Sequence, residues 1–106
     1  MLEEKLKLLP HSPGSYQYYD ETGKIIYVGK AKDLNKRVHS YFNRPQFGKT
    51  ARLVSEIRDL TYTITDTETE AFLLEINLIK KYDPKYNILL KDDKSYPYIE
   101  YISYHF

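Results

Sequence analysis

The chain has no cysteine. That absence excludes a disulfide framework and any thiolate metal site, and it fits a reducing compartment. No apolar run exceeds four residues, against the roughly 20 that a bilayer-spanning helix needs. The opening Met1-Leu2-Glu3-Glu4-Lys5 lacks the basic-then-apolar layout of a signal peptide. The expectation is a cytoplasmic protein with no membrane contact. Repeats, linkers and low-complexity stretches are also missing, so 106 residues form one domain with one core. His11, His39 and His105 show no metal-ligand spacing with one another or with carboxylates.

Net charge is scarce too, at +1, which by itself argues against a nucleic-acid partner. The average conceals an asymmetry. Between Gly29 and Arg58 stand eight cations (Lys30, Lys32, Lys36, Arg37, Arg44, Lys49, Arg52, Arg58) against two anions, Asp33 and Glu56. This segment suits a phosphate-facing surface, while the acidic remainder limits indiscriminate binding. Charge alone does not separate that reading from ordinary solvated helix faces.

Twelve tyrosines are what the chain has in abundance. Gly14-Ser15-Tyr16 and Tyr27-Val28-Gly29 flank the turn Asp20-Glu21-Thr22-Gly23, the pattern of a hairpin that brings two phenols close together. Leu2, Leu6 and Leu9 predict a short helix before it, stopping at Pro10. Asp33 is placed to cap a basic helix from about Leu34 to Phe42, with Leu34, Val38, Tyr41 and Phe42 inward. After a loop from Asn43 to Gly48, Leu53, Val54 and Ile57 mark a third helix, and Leu60 to Thr65 alternates as a strand. Thr67 with Glu70 makes a capping box for a helix to about Tyr82. Asn87 then falls in an ordered loop or short strand, and Tyr96 to Tyr104 reads as a further strand. The expected fold is α/β (α+β): a small, mainly antiparallel sheet flanked by helices.

These motifs, with Thr69 to Tyr82 and Pro84-Lys85-Tyr86-Asn87 behind them, resemble the GIY-YIG endonuclease family over nearly the whole chain. Lys91-Asp92-Asp93-Lys94-Ser95-Tyr96-Pro97-Tyr98 points to its UvrC-type excision-repair branch. Ser15 departs from the isoleucine of the family name at a position that varies among members. The resemblance implies a monomeric nuclease domain, the first part of a longer chain. It would hydrolyse one phosphodiester of damaged duplex DNA 3′ of a lesion, with one Mg²⁺ or Mn²⁺, and UvrB would present the lesion.

The resemblance implies catalytic roles for Tyr16, Tyr27, Lys30, Arg37, Tyr41, Glu75 and Asn87, with Glu75 on the metal. Lys30, Lys32, Lys36, Arg37, Arg44, Lys49 and Arg52 are candidates for DNA contact. Helical rotation places Glu75 among Ala71, Phe72, Leu78 and Ile79, where a carboxylate needs a cation: a metal, or Arg37 or Lys30. Arg37 flanks the inner stripe of its helix, where a guanidinium could offset charge on a phosphate or pack along the core edge. Tyr27 is the candidate proton acceptor, a role that nearby cations make accessible to a phenol, and cross-strand packing is its plainer role. Tyr16 and Tyr41 would orient water, base or phosphate, and Asn87 would order the site. Two other readings stay open: a stand-alone structure-specific nuclease, and a DNA-binding or partner-docking module without catalysis, in which Glu75 neutralises Arg37.

Overall fold

The computed structural model describes residues 2–91. The elements in chain order are α1 (Leu2–Lys7), β1 (Gly14–Tyr19), β2 (Ile25–Ala31), α2 (Leu34–Asn43), α3 (Gly48–Glu56), β3 (Asp59–Ile64), α4 (Glu68–Tyr82) and α5 (Lys85–Lys91). The predicted strand Tyr96 to Tyr104, the Asp92-Asp93 pair and most of the motif ending at Tyr98 lie outside the described residues.

The three strands form one antiparallel sheet in the order β2-β1-β3. The hairpin forms as its turn chemistry dictates. Asp20 Oδ1 accepts from the Thr22 and Lys24 amides at 2.9 and 3.2 Å, and Gly23 takes φ +85°, which an L side chain resists. Tyr16 pairs with Gly29, and Tyr18 pairs with Tyr27. Strand alternation sends Tyr16, Tyr18, Tyr27 and Leu60 to one face, where they join Leu34, Val38, Tyr41, Leu53 and Tyr86 in the main core. Ser15, Gln17 and Val28 line the other face and are buried, as is Ala71 of α4, which packs on β1 and β2.

Helix ends follow the sequence closely. Asp33 Oδ1 accepts from the Lys36 amide at 3.0 Å, and Thr67 Oγ1 accepts from the Glu70 amide at 3.1 Å. The Glu70 carboxylate closes the box by accepting from the Thr67 hydroxyl at 3.2 Å. Helix α1 ends at Lys7, short of Pro10, and Leu9 enters the core from the turn beyond it.

Two expectations are corrected. Asn87 lies in a helix, α5, where Tyr86 and Leu90 are buried one turn apart and Pro84 immediately precedes the element, its carbonyl accepting from the Asn87 amide. Glu75 is half-buried, and in α4 only Ala71 is fully covered. Two strand spacings amount to about 10 Å, no more than one helix with its side chains, so the flanks of the apolar arc stay open.

Candidate active site

The two sequence motifs interlock through one contact. Tyr16 lies across Gly29 on the neighbouring strand, and a Cβ at position 29 would run into its ring and hydroxyl. The second motif is thus a glycine because the first is a tyrosine. Ser15 points to the opposite face, where its Oγ donates to the Gly29 carbonyl at 2.8 Å and accepts from Gln17 at 3.2 Å. A small hydroxyl there keeps the strands in register without touching the phenols.

Helix α2 brings Arg37 and Tyr41 over that face, one turn apart. The Tyr16 and Tyr41 hydroxyls meet at 2.9 Å. Ring centroids of Tyr16 and Tyr27 are 6.3 Å apart, and those of Tyr27 and Tyr41 are 6.4 Å apart. Although Arg37 keeps an exposed face, its guanidinium lies 5.7 Å over the Tyr41 ring. Tyr16 foremost, then Tyr41 and Tyr27, raise its hold on its proton. Burial, followed by the neighbouring Tyr41, pushes the Tyr16 phenol well above its ordinary range, against the pull of Arg37. Burial thus holds Tyr16 as a neutral phenol.

Tyr18 is the member that the sequence did not single out. It is buried, stacks on Tyr27 at 6.2 Å, meets Tyr41 edge-on at 5.2 Å, and lies 5.2 Å from Tyr16. Its hydroxyl has no hydrogen-bond partner among the described residues. Among twelve tyrosines, alternation with Tyr16 was the only available signal.

Asn87 clamps the outer side of β2. The Val28 amide donates to its Oδ1 at 2.8 Å, and its Nδ2 donates to the Val28 carbonyl at 2.9 Å. The side-chain amide thus completes an edge residue as another strand would. Helix α5 is itself held by α3. The Tyr86 hydroxyl and the Lys85 ammonium both bond the Glu56 carboxylate, the latter at 3.2 Å, and Lys49 donates to the Leu89 carbonyl at 3.1 Å.

Glu75 and Lys30 come from the layer across the sheet. Lys30 Nζ lies 3.7 Å from Glu68 at the start of α4. Helix α4, which carries Glu75, packs on β2 and β1, the strands that carry Tyr27 and Tyr16. No group of three or more His, Cys, Asp or Glu among the described residues could hold a metal. One half-buried carboxylate open to solvent fits an ion that keeps most of its water and shares substrate oxygens, as Mg²⁺ does. Among the described residues no helix is long and apolar enough to cross a membrane.

Residues 12–88 match the profile of the UvrC-like GIY-YIG domain. The UvrABC system protein C of Streptococcus pyogenes serotype M5 is 60% identical over 100 residues, covering 94% of this chain and 17% of that protein. The chain thus spans about a sixth of the length of the curated relatives it matches. The GIY-YIG N-terminal endonuclease domain of UvrC from Thermotoga maritima, solved with its catalytic magnesium, superposes with a TM-score of 0.71 at 46% identity, covering 79% of this chain and 92% of that one. A point mutant of that domain with an asparagine changed to alanine, also bound to its catalytic divalent cation, gives the same TM-score and identity. The chain belongs to the UvrC-like GIY-YIG family and shares the fold of its solved endonuclease domain.

Proposed function

We propose that this chain is the incision module of a nucleotide-excision-repair nuclease acting in the cytoplasm, and that it hydrolyses one DNA phosphodiester on the 3′ side of a lesion. The observation that carries the reading is Arg37 set against Tyr16, Tyr27 and Tyr41, three phenols delivered by three different elements. A fixed guanidinium offers several donors and keeps its charge, which suits a phosphate gaining negative charge in the transition state.

Tyr27 accepts the proton of the attacking water at its phenol oxygen, and Arg37 favours the phenolate this requires. The Tyr16–Tyr41 pair orients the water and the phosphate, and Arg37 with Lys30 offsets the added charge. Asn87 fixes the peptide next to Tyr27. Glu75 would hold the single Mg²⁺ or Mn²⁺, which when bound supplies a Lewis acid for the phosphate and leaving oxygens. Specificity for damage comes from outside this domain: backbone contacts position without discriminating, and a damage-loading partner of the UvrB kind presents the duplex.

Incision of a lesion-bearing duplex, assayed with the loading partner present, tests this. Tyr27→Phe, Arg37→Ala and Glu75→Gln keep the parent's circular dichroism and lose cleavage. Mn²⁺ titration followed by water proton relaxation gives a signal in the parent that Glu75→Gln abolishes. Undiminished cleavage in a folded variant removes that residue from the mechanism. An unchanged Mn²⁺ signal makes Glu75 an ion-pair partner and favours a binding module without catalysis.

A further inference from the structure

The cations that follow the hairpin do not form one surface. Lys49 is spent on the Leu89 carbonyl. Arg58 donates to the Ser55 and Ile57 carbonyls at 2.9 and 3.0 Å. Arg52 lies against Glu56 and Tyr86, whose charge and hydroxyl it faces. These three belong to the α3–α5 side, where they hold helices and turns in place.

The outer face of α2 is different. Lys36 and Ser40 make one ridge at four-residue spacing, directly beside the Arg37–Tyr41 ridge, with Arg44 following as the extended C-cap residue just past the helix, and Asn35, His39 and Asn43 make the next ridge. Between the two ridges runs an open groove of about 470 Å³ lined by these six side chains. Its walls are fixed. Asn35 Nδ2 donates to the Leu9 carbonyl at 2.9 Å, His39 Nδ1 to the Asn35 carbonyl at 2.7 Å, and Ser40 Oγ to the Arg37 carbonyl at 2.6 Å. Gln46 folds back to donate to the Ser40 and Arg44 carbonyls at 2.9 and 3.3 Å, which steadies the helix end that carries Arg44. From Leu34 to Ser55 the chain contains no carboxylate. The nearest, Asp33, is taken by the Lys36 amide and by His11.

We propose that this groove is the track for the DNA strand flanking the scissile bond, with Lys36 and Arg44 on its phosphates, Asn43 as a neutral contact, and Lys49, Arg52 and Arg58 outside it. The inference rests on the nuclease reading above and adds the path of the strand. From Lys36 to Asn43 the groove follows seven residues, about 10.5 Å of helix, and Arg44 stands at its end. Charges on one DNA strand recur about every 3.4 Å of axis, so the ridge spans about three phosphates. A polar, acid-free groove with two exposed cations suits backbone contact.

The test is the salt dependence of binding of a fluorescent DNA duplex by this chain, measured by anisotropy in Ca²⁺ to prevent turnover, with circular dichroism of every variant. Each phosphate contact contributes about 0.9 to the slope of log K against log salt. Lys36→Gln with Arg44→Gln therefore lowers the slope by about 2, while Arg52→Gln with Arg58→Gln leaves it at the parent's value. An unchanged slope in the first pair, or an equal drop in both pairs, overturns the track. A parent that cleaves while the Lys36/Arg44 pair keeps its slope defeats the track alone. A parent that shows the expected slopes and never cleaves, even with the loading partner present, defeats the nuclease reading and leaves the track standing. A parent that does not bind DNA at low salt overturns the track, and the incision assay with the loading partner decides the nuclease reading separately.

Discussion

Replacing Asn87 by alanine removes two hydrogen bonds from a single buried residue. The Val28 amide and carbonyl face away from β1 in a non-bonded pair with Gln17, and both are satisfied by the Asn87 amide at 2.8 and 2.9 Å. Val28 is 0% exposed and Asn87 7%, so water has little access to either group. A buried donor or acceptor left without a partner costs about 1–3 kcal/mol, and two of them amount to about 2–4 kcal/mol once partial hydration is allowed for. At this size each kcal/mol shifts the melting temperature by about 4–8 °C, so the loss is on the order of 10–25 °C. Thermal melts by circular dichroism measure it, and amide hydrogen exchange locates it: Val28 should lose protection while Tyr16 and Tyr18 on the central strand keep theirs. Asn87→Asp keeps an acceptor for the Val28 amide but sets a carboxylate against the Val28 carbonyl, so at neutral pH it costs at least as much. A loss below about 1 kcal/mol with Val28 still slow to exchange would refute the clamp as a contributor to stability.

Two further outcomes follow from the same geometry. Gly29→Ala destabilises the parent by forcing a Cβ into the Tyr16 ring, and in a Tyr16→Ala background it costs far less, a coupling of about 0.5–3 kcal/mol in a double-mutant cycle. Additive effects would mean that the ring does not occupy that space. Glu56 is held below the usual carboxylate range, first by the Tyr86 hydroxyl and then by Lys85. Its contribution is present above that range and is lost as pH falls through the depressed value. Urea unfolding between neutral pH and about pH 3 should therefore show a shallower acid decline in Glu56→Gln than in the parent, and parallel declines would disprove it.

The hairpin, the caps at Asp33 and Thr67 and the stripes of α2 and α4 were legible because each is set by neighbours a few residues away. What was not legible depends on partners far along the chain. Asn87 gains its meaning from Val28, 59 residues earlier, and its helix is too short to announce itself by periodicity. The depth of Glu75 was misjudged because the width of the sheet, and not the helix, decides how much of an apolar arc is covered. Lys49, Arg52 and Arg58 looked equivalent to Lys36 and Arg44 by composition, and only tertiary contacts with Leu89, Glu56 and local carbonyls separate them. Tyr18 was hidden among its own kind. By contrast, the gathering of Tyr16, Tyr27, Arg37 and Tyr41 was readable in outline, since a hairpin and the helix after it have few ways to meet.

The order of the strands also divides the tyrosines by stiffness. Tyr16 rides on β1, which is laced to a neighbour on both sides. Tyr27 rides on β2, which among the described residues has one strand beside it and, at Val28, the Asn87 side-chain amide on the other side. The backbone is accordingly expected to move least under Tyr16 and more under Tyr27, the phenol proposed to take a proton and settle against an arriving phosphate. A slower, wider breathing of β2 relative to β1, visible as relaxation dispersion on the microsecond to millisecond scale, would be the dynamic signature of that division.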